Sequence, residues 1–195
     1  MSDIVVFNSL SLDGVMQAPG RPDEDTRDGF AYGGWAPPYV DEVMGRVMAE
    51  GMADGGPLLL GRRTYEDFYS YWPNQQGDPI SEVMDITHKY VTSRTLTGPL
   101  PWQNTTLLTG EATDTVAKLK EEPGKDVTVL GSGELLRSLI PHNLIDRYVL
   151  LVHPLLLGSG RRLFPDEGTF SALRLVDSVT TTSGVIIATY RPVAP

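Results

Sequence analysis

The sequence predicts an α/β fold in which a mixed, mostly parallel central sheet ends in an antiparallel C-terminal hairpin. Three observations predict it. Short apolar, β-rich runs at 3–8, 57–60, 88–92, 105–108 and 127–130 alternate with helical segments, as strand–helix–strand units of a parallel sheet require. Residues 148–157 (YVLLVHPLLL) are almost continuously apolar, the pattern of a strand buried on both faces. Residues 173–179 and 185–190 flank TTTSG as a hairpin, whose antiparallel partners make the sheet mixed.

The elements follow in order. DIVVFN at 3–8 reads as a buried strand, and the stretch 11–38, rich in Gly, Pro and Asp and without a period, reads as a long loop of the functional kind. From Tyr39 to Met52, Val40, Val43, Met44, Val47 and Met48 recur at helical spacing. They mark an amphipathic helix that opens after Pro37 and Pro38 and ends at Gly55 and Gly56. The 57–60 strand turns at Gly61 into RRTYEDFYSYW, a helix start. Residues 112–121 are helical, and 127–130 lead through Gly131, Ser132 and Gly133 into a helix over 134–140. Without repeats, low-complexity tracts or a linker, one domain over 1–195 is expected.

Composition narrows the function. Zero cysteines exclude a disulfide scaffold, thiolate metal sites and a cysteine nucleophile. A net charge of -9 argues against a nucleic-acid partner, since phosphate neutralisation needs a basic surface. Residues 1–60 carry ten acids against three bases, so an anionic ligand fits the later segment better; Asp23, Glu24, Asp25 and Asp28 read as solvating an exposed loop. No run approaches the roughly 20 apolar residues of a membrane span, and the N-terminus lacks a basic leader. A cytoplasmic protein without a membrane partner is expected. His88, His142 and His153 have no ligand spacing, so no metal site is expected, and His153 reads as a core residue.

Three turns carry chemistry, because each places backbone N–H groups beside hydroxyl or guanidinium groups at the C-terminal end of an expected strand. They are Gly61-Arg62-Arg63-Thr64, Thr92-Ser93-Arg94-Thr95 and Gly131-Ser132-Gly133-Glu134. Helix N-termini favour anions, and forked guanidinium donors suit phosphate. Together the turns read as a surface for a ligand with several phosphates. The third has Leu136 in place of the last glycine of the dinucleotide fingerprint, so it is not that motif.

The order VVFNSLSLDG, LLLGRRTYEDF, VTSRTL, VLGSGELL and YVLLVHPLLLGSGRRLF resembles the dihydrofolate-reductase-like superfamily. Within it, the sequence is most similar to the C-terminal reductase domain of the bacterial riboflavin-biosynthesis deaminase/reductase, over about residues 3–191. The resemblance implies a three-layer dihydrofolate-reductase-like fold, NADPH as cofactor and a homodimer. It also implies that Gly61, Arg62 and Thr64 hold cofactor phosphates, and that Ser93 and Arg94 surround the ribose 2′-phosphate. Gly131, Ser132, Gly133, Glu134 and Leu135 would wrap the pyrophosphate and nicotinamide side. Ser11, Asp13 and Gly14 match a segment at the junction of nicotinamide and substrate, which makes Asp13 the candidate for polarising the substrate or supplying a proton.

Trp35, Tyr39, Tyr65 and Trp72 could form an aromatic wall for a planar substrate, and Arg161 and Arg162 could meet an anionic substrate group. Dihydrofolate reductases carry a buried carboxylate in the helix before LLLGR. Here that helix presents Val40, Val43, Met44, Val47 and Met48, while Asp41, Glu42 and Glu50 are in phase with solvent, so dihydrofolate is not the expected substrate. An acidic 17–38 loop near the substrate mouth would also disfavour a phosphorylated sugar. The expectation is an NADPH-dependent reductase of a small heterocyclic acceptor. The alternatives are a non-catalytic nucleotide-binding protein and a flavin- or deazaflavin-dependent reductase.

Overall fold

A computed structural model describes residues 1–53, 55–164, 168 and 170–193. The strands are β1 (Ile4–Ser11), β2 (Leu58–Gly61), β3 (Lys89–Ser93), β4 (Thr105–Thr109), β5 (Val127–Leu130), β6 (Arg147–His153), β7 (Leu173–Thr180) and β8 (Ile186–Pro192). They form one sheet in the order β4-β3-β2-β5-β1-β6-β8-β7. Residue contacts divide the chain into two compact units, Met1–Val5 with Asp54–Ile145 and Val6–Ala53 with Asp146–Pro195. Strand β1 runs from one into the other.

In the first unit β2 pairs in parallel with β3 and β5, and β3 with β4. Parallel strands need crossovers, and helices α2 (Arg62–Tyr71), α3 (Pro79–Ile86), α4 (Ala112–Glu121) and α5 (Gly133–Leu139) supply them. The core on one side gathers Leu58, Leu60, Tyr65, Met84, Val91 and Trp102. Leu59, Val129, Val116, Leu136 and Leu139 are also fully buried, as sheets covered by helices on both faces require.

Helix α3 was not expected from the apolar pattern, yet its start signal is in the sequence. Asp78 caps it by accepting from the Ile80 and Ser81 amides, and Pro79 occupies its first position. Its C-terminus is closed by an unanticipated device, the fully buried Lys89. The Lys89 Nζ donates to the carbonyls of Met84 and Thr87, each at 2.7 Å, and lies 4.3 Å from the Trp102 ring centre. Burial pushes its amine down to about 8, opposed by the Asp85 carboxylate.

In the second unit β8 runs antiparallel to β6 and β7, with a bulge between Leu175 and Asp177, so the C-terminal hairpin forms as expected. Strand β6 stops at His153, four residues before the end of the apolar run. Pro154 has no N–H to continue the ladder, and Leu156 beyond it is exposed. Helix α1 (Glu42–Ala53) begins later than the periodicity implies, because Pro37–Tyr39 form a separate 3-10 turn. Its Met44 packs with Leu151, Val185 and Ile187, while Val40 is exposed rather than part of the apolar face. Asp41 is not simply solvated. It accepts from the Met44 amide, the Thr182 hydroxyl and the Ser183 amide, and these bonds hold its carboxyl well below the usual range.

No helix of the described residues is long and apolar enough to cross a membrane. Replacing Lys89 by Met keeps the bulk but removes the donor to the Met84 and Thr87 carbonyls. A loss of about 2 kcal/mol is expected in urea unfolding, and an unchanged midpoint would remove Lys89 from the closure of α3.

Candidate active site

The three turns singled out in the sequence emerge side by side, because β5, β2 and β3 are parallel neighbours whose C-terminal ends share one edge. Hydrogen bonds join them into a row. The Gly61 amide donates to Ser132 Oγ at 3.0 Å, and the Ser132 amide donates to Thr64 Oγ1 at 3.1 Å. Ser132 Oγ in turn donates to the Leu130 carbonyl at 2.9 Å. This pairing demands a left-handed backbone at Gly131 (φ 54) and at Ser132 (φ 55), a conformation that costs a residue with a side chain about 1–2 kcal/mol. A Cβ on Gly131 would also lie 3.3 Å from Thr64 Cγ2.

At the other end of the row, Arg62 Nη1 donates to Thr95 Oγ1 at 3.2 Å and its Nε lies 4.0 Å from Glu66. Ser93 Oγ accepts from the Thr95 and Leu96 amides, which fixes the turn that presents Arg94. The Arg94 side chain is 75% exposed and 3.6 Å from Glu111. The candidates therefore divide by job. Ser93, Ser132, and the Gly61 amide hold the turns in shape, whereas Arg62 and Arg94 present charge. Leu135 is buried in the core and Glu134 pairs with Arg137 at 3.7 Å, so neither side chain of that turn is simply offered to a ligand. Thr95 belongs to the Thr92–Thr95 turn singled out in the sequence, whereas Glu111 was not anticipated.

Ser11, Asp13 and Gly14 form a tight hub in the second unit. Ser11 Oγ donates to Asp13 at 2.6 Å and accepts from the Val15 amide at 2.9 Å, while the Leu157 and Gly158 amides donate to the same carboxylate at 3.1 and 2.8 Å. Gly14 (φ 80) turns the chain here. The Ser11 hydroxyl foremost, followed by the two amides and against some desolvation, lowers the Asp13 carboxyl from 3.8 to about 2. Of the two roles the sequence offers for Asp13, polarising the substrate and supplying a proton, these contacts favour the first, because Ser11 Oγ and the Leu157 and Gly158 amides all donate to the carboxylate.

The four aromatics of the expected wall fall two in each unit. Trp35 is buried with Val15, Ala18 and Phe30, and its Nε1 donates to the Gln17 carbonyl at 2.8 Å. Tyr65 belongs to the core of the other unit, where Trp72 is packed against the same cluster. Tyr39 is half-buried and meets His153 edge-on at 5.6 Å. His153 is a core residue, as expected; burial lowers its pKa and keeps the ring neutral, although the Leu151 carbonyl accepts from it.

Arg161 is also engaged within the protein. Its Nη2 donates to Asp28 at 2.8 Å, and its backbone N–H donates to Gln17 Oε1 at 2.9 Å. Arg162 Nε donates to the Asp13 carbonyl at 2.9 Å. The acids of the 17–38 loop tie it together rather than merely solvate it, since Asp25 pairs with Arg27 and Glu24 accepts from the Gly20 and Arg21 amides. Gln17, buried and bonded to the Asp25 and Arg27 carbonyls, is the centre of that loop, and no periodicity could single it out.

The profile of the family described as the RibD C-terminal domain matches residues 3–187. The chain belongs to this family. Among its relatives is YyaP of Bacillus subtilis (strain 168), an uncharacterised protein 33% identical over 140 residues, covering 68% of this chain and 72% of YyaP. YwjB of the same organism, also uncharacterised, is 29% identical over 120 residues, covering 60% of this chain and 63% of YwjB.

Solved structures share the fold. A Shewanella sp. PV-4 protein assigned to riboflavin biosynthesis matches with a TM-score of 0.70 at 22% identity, covering 98% of this chain and 99% of that one. A pyrimidine reductase-like protein of Corynebacterium diphtheriae matches at 0.64 and 11% identity, covering 100% and 93%. Dihydrofolate reductase of Enterococcus faecalis, solved with NADP(H), matches at 0.59 and 16% identity, covering 97% and 96%. The fold of this RibD C-terminal domain is thus dihydrofolate-reductase-like, as the five motifs implied.

The two hubs generate separate expectations. Ser132→Ala removes both Oγ bonds and keeps the left-handed strain, so it should lower stability by about 1–2 kcal/mol, and Ser132→Gly should lower it less because the strain is relieved. An equal loss in both variants would show that the strain is not borne there. The Asp13 charge stabilises the fold above pH 3.8, and that contribution is lost as the pH falls through about 2. Asp13→Asn should therefore melt below the wild type at pH 7, with the gap closing across that interval; a gap independent of pH would mean that the three donors do not select the charge.

Proposed function

We propose that this chain is an NADPH-dependent reductase of a small heterocyclic acceptor, of riboflavin-pathway or pteridine type. The observation that carries the reading is the row of three strand-end turns, joined by hydrogen bonds, with Arg62 and Arg94 at its cationic end. Its donor set fits a phosphorylated dinucleotide. Guanidinium groups give paired donors to phosphate, and the first turn of α2 leaves N–H groups without intrahelical partners. The coenzyme, when bound, supplies the hydride.

The protein's part is to hold and select. Arg62 takes phosphate beside Thr64, and Arg94, positioned by Ser93, takes the ribose 2′-phosphate. Gly61, Gly131, Ser132, Gly133, Glu134 and Leu135 shape the turns around the dinucleotide rather than ligating it through their side chains. In the other unit Ser11, Asp13 and Gly14 shape the acceptor side, where the ionised Asp13 serves as an acceptor of ring N–H groups and as a local negative charge. The same reading makes the protein a cytoplasmic homodimer. The exposed β7, with Leu175 and Val176 half out, is an edge on which a second copy could pair.

A second reading, nucleotide binding without turnover, is favoured by one observation: the Asp13 carboxylate is already engaged by three internal donors, Ser11 Oγ and the Leu157 and Gly158 amides. Oxidation of NADPH by any of a panel of flavin-precursor and pteridine acceptors would exclude it.

Titration with NADPH and NADH, followed by tryptophan fluorescence and melting temperature, tests the cofactor reading. The wild type should prefer NADPH, and Arg94→Ala should weaken NADPH about tenfold or more while leaving NADH nearly unchanged. Equal losses would remove Arg94 from 2′-phosphate selection. Failure of both nucleotides to bind would defeat the reductase reading.

A further inference from the structure

Four parallel strand ends, not three, reach the edge of the first unit, because β4 pairs with β3 in a register that sets Thr109 opposite Ser93. The turn that follows β4 has a different chemistry from the others. Gly110, with φ 115, bends the chain, and Glu111 stands at the N-cap of α4. Ser, Thr, Asp and Asn are the side chains that cap a helix from this position, and the longer Glu111 carboxylate makes no bond to the amides of α4. Its Oε1 lies instead 3.6 Å from Arg94 Nη1, with the two side chains 65% and 75% exposed. An anion supplied by the protein thus sits on the guanidinium assigned to the 2′-phosphate.

We propose that Glu111 is a specificity-determining residue of the cofactor site, an internal anion that occupies Arg94 and that a 2′-phosphate must displace. The inference rests on the reading of Arg94 given above. A phosphate carries up to two charges and three acceptor oxygens, so it outcompetes one carboxylate for the guanidinium fork. Glu111 therefore weakens NADPH binding without touching NADH, whose ribose hydroxyl leaves the ion pair in place. It sets how strongly the site discriminates, and it keeps Arg94 paired while no nucleotide is bound.

The experiment is a double-mutant cycle read as dissociation constants for NADPH and NADH in the wild type, Glu111→Gln, Arg94→Ala and the double variant. Glu111→Gln preserves shape and removes charge. It should tighten NADPH about two- to fivefold, the range of an exposed ion pair, leave NADH unchanged, and lose its effect when Arg94 is absent. If the wild type prefers NADPH but Glu111→Gln shifts neither nucleotide, or shifts both equally, the inference is overturned and the reductase reading stands. If the tightening persists in the Arg94→Ala background, Glu111 does not act through Arg94 and the inference is likewise overturned. If the wild type binds neither nucleotide, the inference and the reading fall together.

Discussion

The left-handed turn at Gly131 and Ser132 is the constraint on which the candidate cofactor surface depends. Parallel pairing brings the ends of β5 and β2 to one edge, but pairing alone leaves the chain after each strand free to diverge. Ser132 prevents this by receiving the Gly61 amide on its hydroxyl and giving its own amide to Thr64. Two crossover helices, α2 and α5, are thereby started in a fixed relation, and the strain at Ser132 is offset by the three bonds that only this conformation allows. Arg62 extends the same network to Thr95, so the turn carrying Arg94 is tied to the turn after β2 through a side chain.

The second unit solves a similar problem by another route. A loop of more than twenty residues has few apolar side chains with which to fold, and it is held by polar hubs instead. Asp13 gathers donors from 157 and 158, and Gln17 gathers the carbonyls of 25 and 27 together with the amide of 161. Trp35 closes the loop over Val15, Ala18 and Phe30. Charge that looks like a solvated acidic patch in the sequence is largely used in these internal pairs. A negative charge held by three donors resists protonation.

Much of the fold was legible because it rests on local periodicity. Residues 112–121 and 127–130 read as helix and strand with the boundaries the structure gives, and the C-terminal hairpin announced itself by two apolar runs around a short polar turn. Misjudged elements had a non-local cause or a weak apolar signal. Helix α3 is short, and its Asp-Pro start outweighs its weak amphipathic stripe. Strand β6 ends early because a single proline outweighs four further apolar residues. Lys89 gave no sign of burial, because the carbonyls that receive it, those of Met84 and Thr87, lie at the end of a helix that the apolar pattern did not reveal.

By itself, the sequence determined the fold class, the family and the three turns that bear cationic and hydroxyl groups, because strand–turn–helix punctuation and residue chemistry are local properties. Only the tertiary structure decided which of those groups remain available. Hydrogen bonds between Ser132, Gly61 and Thr64 join residues about 70 positions apart, and the contact of Arg94 with Glu111 depends on two strands lying side by side. The same holds for Trp35 and Arg161, whose side chains suit a ligand in the sequence and are engaged by the protein in the fold. Whether a polar group meets a ligand or a neighbour depends on what the folded chain places beside it, and periodicity carries no record of that.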